Sequence, residues 1–377
     1  MQRSTAVFAV ALFALPCLWD KDTLADELRG LPGHFDLVTG RWFRHSDAYY
    51  QKRIDTIPAL LKEQPNAFEL YDDLAVAHEF LGNDGEAVRV MREKGAALAK
   101  LDDAPKDARY RYHANLGTFY VHGALRGKTD GFERALSELG KALVINPDAH
   151  FGRERFQVDL IRYAMAAREN PELWSEHDFL TWTGYQLKDA EWSRALSYPS
   201  FTTKARNIEK REDKHATWEQ AYTAVAGMLR FGGLEGAELY RTLGDLYAVR
   251  GHLHLAWWAF HRAEEAGHPA KARLRRARAS IEFHWKQANK EVSAGVPIPT
   301  DADYRAVRDN AKRWRAAFVA AEEKALAADS DPSTDAALSA LLEAADKAVP
   351  APRLSGGGSN SKQPDKGTPV ERSRSGR

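Results

Sequence analysis

The stretch 238–269 constrains the fold of this chain more than any other. It reads ELYRTLGDLYAVRGHLHLAWWAFHRAEEAGHP. Two runs carry apolar residues three and four positions apart, Gly251 separates them, and Pro269 closes the second. That is the spacing of two helices folded against each other. Gly244 lacks a Cβ where the helices must cross closely, and Tyr247 and Phe260 are large enough to fill the gap beside it. Ala256 and Ala263 keep the second helix thin at the same crossing. A helical hairpin is therefore expected here.

Weaker versions of the pattern occur upstream. Tyr71-x2-Leu74-Ala75-x2-His78 is followed by Gly82 and Ala87-x3-Met91, with Lys94 where a small residue is usual. His113-x2-Leu116-Gly117-x2-Tyr120 finds its second half in Ala135-x3-Leu139-x2-Ala142 and Pro147 once six residues are inserted around 124–130, a cheap change in a turn. With Tyr240-x2-Leu243-Gly244-x2-Tyr247 and Ala256-x3-Phe260-x2-Ala263, these units resemble the tetratricopeptide repeat (TPR) family, with tyrosine at the first aromatic position and the proline one place late. The matches are 66–98, 110–147 and 237–269, inside a TPR-like domain of 34–269. The resemblance implies an all-α, TPR-type helical-hairpin solenoid. It also implies a groove, lined by first-helix side chains, that binds a partner peptide or protein: Asp72, Val76 and Glu79, then Ala114, Thr118 and Val121, then Arg241, Asp245 and Ala248. The TPR subfamily that clamps a C-terminal carboxylate presents Lys and Asn at such places, which Asp72 and Val76 do not match.

The rest of the chain fits around these units. Residues 18–32 read as a mixed, polar, extended lead-in. Short helical patterns follow at 34–40 and 47–64, and another at 148–168. Periodicity fades over 170–200 while Trp174, Phe179, Trp182, Tyr185, Trp192 and Tyr198 keep it aromatic; 202–215 is a charged connection, and helix resumes at Trp218. Leu274, Ala277, Ile281 and Trp285 form one stripe, and Tyr304, Val307, Ala311, Trp314, Phe318, Ala321 and Ala325 form a heptad seam. Joined by a Gly/Pro break, they predict a C-terminal antiparallel helical hairpin within 270–349, with a last helix opened by Asp331-Pro332. From 350 to 377 the composition predicts a disordered tail.

Composition narrows the function. Lys+Arg 54 against Asp+Glu 53 gives no basic excess, so no nucleic-acid partner is expected. The basic run Arg273, Arg275, Arg276 and Arg278 reads as a solvated helix face. Arg3 followed by an apolar run over 6–15 reads as a signal peptide within 1–25, and about twenty apolar residues would be needed for a transmembrane segment. Cys17, the one cysteine, is a candidate lipid attachment site because Ala14-Leu15-Pro16-Cys17 resembles a lipobox; removal with a leader cleaved near 23–25, or retention as a buried small residue, are the other readings. The chain is thus expected to be exported, periplasmic or envelope-associated. No phosphate-binding loop, GxSxG or HExxH motif is present, so no catalytic residue, cofactor or metal site is expected, and His252 with His254 reads as a solvated turn. Two further classes stay open: an enzyme with its site in 170–200, and a homo-oligomer built through the 304–325 seam.

Overall fold

The computed structural model describes residues 18–127, 130–187, 214–232, 236–291 and 299–352. Cys17 and the apolar run of the leader, Trp192 and Tyr198, most of the charged connection, and nearly all of the tail lie outside the described residues. Among those described, the fold is all-α, with sixteen helices and one pair of three-residue strands.

Two short helices, α1 (Lys21–Arg29) and α2 (His34–Thr39), lead into α3 (Asp47–Glu63), which is capped by Ser46. The first expected hairpin is α4 (Phe68–Phe80) with α5 (Asp84–Leu98), and the second is α6 (Lys106–Leu125) with α7 (Gly131–Ile145). Next come α8 (Ala149–Glu169), the short α9 (Leu173–Glu176) and α10 (Phe179–Thr183), then β1 (Tyr185–Leu187), paired in parallel with β2 (Lys214–Ala216). Helix α11 (Trp218–Phe231) opens with a Thr217/Gln220 capping box. The third hairpin is α12 (Ala237–Val249) with α13 (Leu253–Glu265), and α14 (Lys271–Glu291), α15 (Asp301–Ala327) and α16 (Asp335–Ala348) complete the chain.

Each pair of helices read from the repeat pattern packs together; the first pair packs on the second through α5 and α6, and the second is linked to the third through α8 and α11. The two glycines of the pattern have the same cause. A Cβ at Gly244 would lie 2.5 Å from the Phe260 ring, and one at Gly117 would lie 2.8 Å from Leu139 Cγ. The inserted residues of the second unit are partly taken up by helix: α6 runs on to Leu125, five residues beyond Tyr120, whereas α12 stops at Val249, two beyond Tyr247.

Two segments differ from the sequence reading. Residues 18–32 are not simply extended, because Asp20 accepts a hydrogen bond from the Thr23 amide and starts α1. At the other end the helices of the expected hairpin are present, but their stripes pack mainly on other partners. Leu274, Ala277 and Ile281 of α14 enter the core shared with α13. Tyr304 of α15 stacks on His261 of α13 at 3.6 Å between ring centroids, while Trp314 and Phe318 pack on Leu338, Leu341 and Ala345 of α16. Helix α15 also reaches α2 and α3, so it ties the last hairpin to the first helices.

The two kinds of helical glycine give a paired prediction. Gly244→Ala should destabilise the protein by about 1–3 kcal/mol through overpacking against Phe260. Gly140→Ala, at a position of α7 where a Cβ meets nothing within 4 Å, should be neutral or stabilising by up to about 1 kcal/mol. Urea unfolding measures both, and equal effects would contradict the close crossing.

Candidate functional site

The positions read as a groove are closed. Asp72, Val76, Glu79, Ala114, Thr118, Val121, Arg241 and Asp245 are all buried, none above 2% exposed, and Ala248 is buried too. This corrects the expectation of an open surface, and the reason is visible at each place. Both carboxylate oxygens of Asp72 accept from Lys94 Nζ at 2.7 Å, and Oδ1 also accepts from Asn115 Nδ2 at 3.1 Å. Lys94, which breaks the small-residue rule of the repeat, is thus the counter-ion of Asp72. Burial pushes the Asp72 carboxyl up to about 6 against the pull of Lys94, and burial lowers Lys94. Glu79 faces His122 Nδ1 at 2.7 Å and Arg126 at 3.0 Å. Thr118 Oγ1 donates to the Ala114 carbonyl and accepts from Gln157 of α8. Val76 and Val121 lie in apolar clusters, and Ala114 packs with Trp19 and Tyr110.

Arg241 is held by the segment after α8. Its guanidinium donates to the carbonyls of Trp174 and His177, and lies 3.7 Å from both Glu238 and Asp245. Burial opposes its charge, but Glu238, Tyr163 and Asp245 outweigh burial and raise it. Glu238 in turn accepts from the Phe179 amide at 2.9 Å and faces His268 Nε2 at 2.9 Å. The Ala270 amide donates to His268 Nδ1, so the ring proton sits on Nε2 and points at Glu238. Burial pushes Glu238 up to about 8 and His268 well down. The cluster clamps α9 and α10 onto α12. The described aromatics of the 170–200 segment, Trp174, Phe179, Trp182 and Tyr185, are likewise buried, around Tyr163 and Phe156 of α8.

The inner ends of α4 and α6 meet the chain's own lead-in. The Trp19 amide donates to Asn115 Oδ1 at 2.7 Å, and Asn115 Nδ2 donates back to the Trp19 carbonyl at 2.9 Å. One carboxamide therefore holds both main-chain groups of one residue. Leu18 is fully buried among Ile57, Leu74, Met91, Leu116 and Phe119, and the Trp19 ring lies edge-on to Tyr110 at 5.3 Å. The Lys21 amide donates to Asp73 Oδ1 at 2.9 Å.

Charged contacts continue this path. Arg53 of α3 pairs with Asp20 at 2.7 Å and Asp22 at 2.8 Å, Arg230 of α11 with Asp26 at 2.5 Å, and Arg153 of α8 with Glu27 at 2.7 Å. Farther along, His34 contacts Tyr247 Oη at 3.0 Å, Phe35 packs edge-on to Trp258, and Arg41 reaches Asn310 and Asp346. Residues 18–46 thus run over helices of every hairpin.

Asn115, Trp19, Arg53, Arg153 and Arg230 were not singled out by the sequence. The signals available were the Leu18-Trp19 pair just before an Asp cap and the acidic spacing Asp20, Asp22, Asp26; composition alone made that stretch look like solvated lead-in. No protein-family model, curated protein or solved structure matches this chain.

Asp73 lies where the lead-in meets α4, and burial, with Asp20 and Asp22 nearby, pushes it up to about 7 despite Arg53 and the Lys21 amide. Its ordinary value is 3.8, so the folded chain keeps a proton that the unfolded chain releases between about pH 4 and 7. The stability this group contributes is fully present below pH 4 and is lost as pH rises to 7, at up to about 1.4 kcal/mol per pH unit. Asp73→Asn keeps the acceptor for Lys21 and removes the titration. Its melting temperature should therefore fall less than that of the wild type between pH 5 and 7.5, and parallel curves would rule out this account of Asp73.

Proposed function

We propose that this chain is a TPR-type helical-repeat scaffold, a non-catalytic protein that binds a partner peptide or protein along the inner face of its hairpins. The observation that supports this reading is the paired hydrogen bond between the Asn115 carboxamide and the Trp19 main chain. A side chain that grips the N–H and the C=O of one residue recognises peptide backbone itself. The flanking pockets for Leu18 and Trp19 read side chains. An enzyme with its site in 170–200 has less support, since the described aromatics there, Trp174, Phe179, Trp182 and Tyr185, face inward and the ionisable cluster at Glu238, Arg241 and His268 is buried. Self-assembly through the heptad seam has less support too, because Tyr304, Val307, Trp314 and Phe318 are covered by the chain itself.

No helix among the described residues is long and apolar enough to cross a membrane. An exported, envelope-associated location goes with the leader-like run over 6–15. Burial of Leu18, Trp19, Asp20 and Asp26 favours processing ahead of Leu18, at Cys17 or before it, over cleavage near 23–25, which would cut through α1. Intact mass of the protein from its native host should show a chain retaining Leu18, and a start at or after residue 24 would refute this.

The scaffold reading is tested by affinity purification of the full chain from that host, wild type beside Asn115→Ala. Recovery of one discrete protein, in altered amount with the variant, is the expected result. Turnover of a small molecule, with no protein recovered by either form, would overturn it.

A further inference from the structure

We infer that the surface between α3, α8 and α11 is a receptor for acidic segments led by an aromatic residue, and that residues 18–29 are its exchangeable occupant in cis. The inference rests on the scaffold reading and adds the chemistry of the ligand. Charge across this contact is mainly carboxylate on one side and guanidinium on the other. The segment's Asp20, Asp22, Asp26 and Glu27 meet Arg53 of α3, Arg230 of α11 and Arg153 of α8, while Asp73 of α4 also faces Asp20 and Asp22, and Arg29 of the segment pairs with Asp335 of α16. A helix that belongs permanently to a core usually docks through an apolar stripe. Helix α1 turns Thr23 and Asp26 inward, and among its described side chains Leu24 packs against the Trp19 and Tyr110 cluster. Beside it lies a cavity of about 30 Å³, room for one water, walled in part by Asp22, Asp26, Arg44 and Arg230.

These features set what could replace the segment. Arg53 is buried, and with Asp20 and Asp22 gone its nearest carboxylate is Asp73 at 3.9 Å. Leaving such a charge poorly paired is costly, so a competitor must bring its own carboxylates. The required pattern can be read from the occupant: an apolar residue and a tryptophan held by Asn115, then acids one, three and seven positions after the tryptophan. A tethered occupant competes at high effective concentration, so the wild-type chain should bind such a partner weakly until the segment is displaced.

The test uses the full chain and a fluorescent peptide of residues 18–30. The chain carries Trp19→Ala and Asp26→Asn, which weaken the cis occupant and leave Asn115, Arg53, Arg153 and Arg230 in place. The peptide should bind this variant at least tenfold more tightly than the wild type. A peptide with Asp20→Asn, Asp22→Asn, Asp26→Asn and Glu27→Gln should bind the variant at least tenfold more weakly. Equal binding of the two peptides would overturn the acidic class, and a segment-exchanged dimer in light scattering would show that the receptor serves only a second copy. Hydrogen exchange on the wild type covers the case in which the variant does not fold. Amides of α1 should exchange ahead of those in α4 and α6, and faster when the peptide is added. If they exchange only on global unfolding, the segment is a fixed part of the core and the inference fails. A host partner recovered alongside that outcome would leave the scaffold reading standing.

Discussion

The Asn115 carboxamide, bound to both main-chain groups of Trp19, fixes the register of everything that follows it along the inner face. A shift by one residue would move Leu18 out of its apolar pocket and take Asp20 away from Arg53. Because Asn115 also donates to Asp72, the latch is continuous with the buried Asp72–Lys94 pair that joins α4 to α5. The inner face is therefore a connected polar layer, and its members depend on one another in the way buried networks do.

That layer explains why so many charges lie inside a chain with almost no net charge. Buried ion pairs add little net stability over apolar packing, yet breaking one is expensive. Apart from the Asp72–Lys94 pair within one hairpin, they mark contacts between elements distant in sequence: lead-in to α3, α8 and α11, α9 and α10 to α12, and α15 to α2 and α13. Arg308 shows the last of these, bonding both the Thr39 carbonyl and Glu265. Apolar packing within hairpins gives the local fold, and the polar layer selects how the hairpins and the lead-in come together.

Much of the local fold was legible in the sequence because its causes are local. Gly244, Gly117, Tyr247 and Phe260 act on neighbours within one hairpin, so spacing alone reveals them. The groove positions were assigned by the same logic but lie buried, and spacing cannot say what covers them. The cover is Trp19 for Ala114, α8 for Thr118, and the carbonyls of Trp174 and His177 for Arg241. Each comes from more than thirty residues away in the chain, where no periodicity connects the partners. The strand pair β1–β2 was missed for the same reason, its halves being separated by a long connection. The C-terminal seam was found, but its partners were not, since a stripe of aromatic and small residues fits α13 and α16 as well as a neighbouring stripe.

The central claim, that residues 18–29 lie on the inner face through their carboxylates, is tested most directly by a double-mutant cycle between Asp20 and Arg53. Unfolding free energies of Asp20→Asn, Arg53→Gln and the double variant give the coupling between two residues thirty-three apart in sequence. A favourable coupling of about 1–3 kcal/mol is predicted for a buried, hydrogen-bonded pair. Additive effects, with no coupling beyond about 0.3 kcal/mol, would contradict the placement of the lead-in and the account built on it.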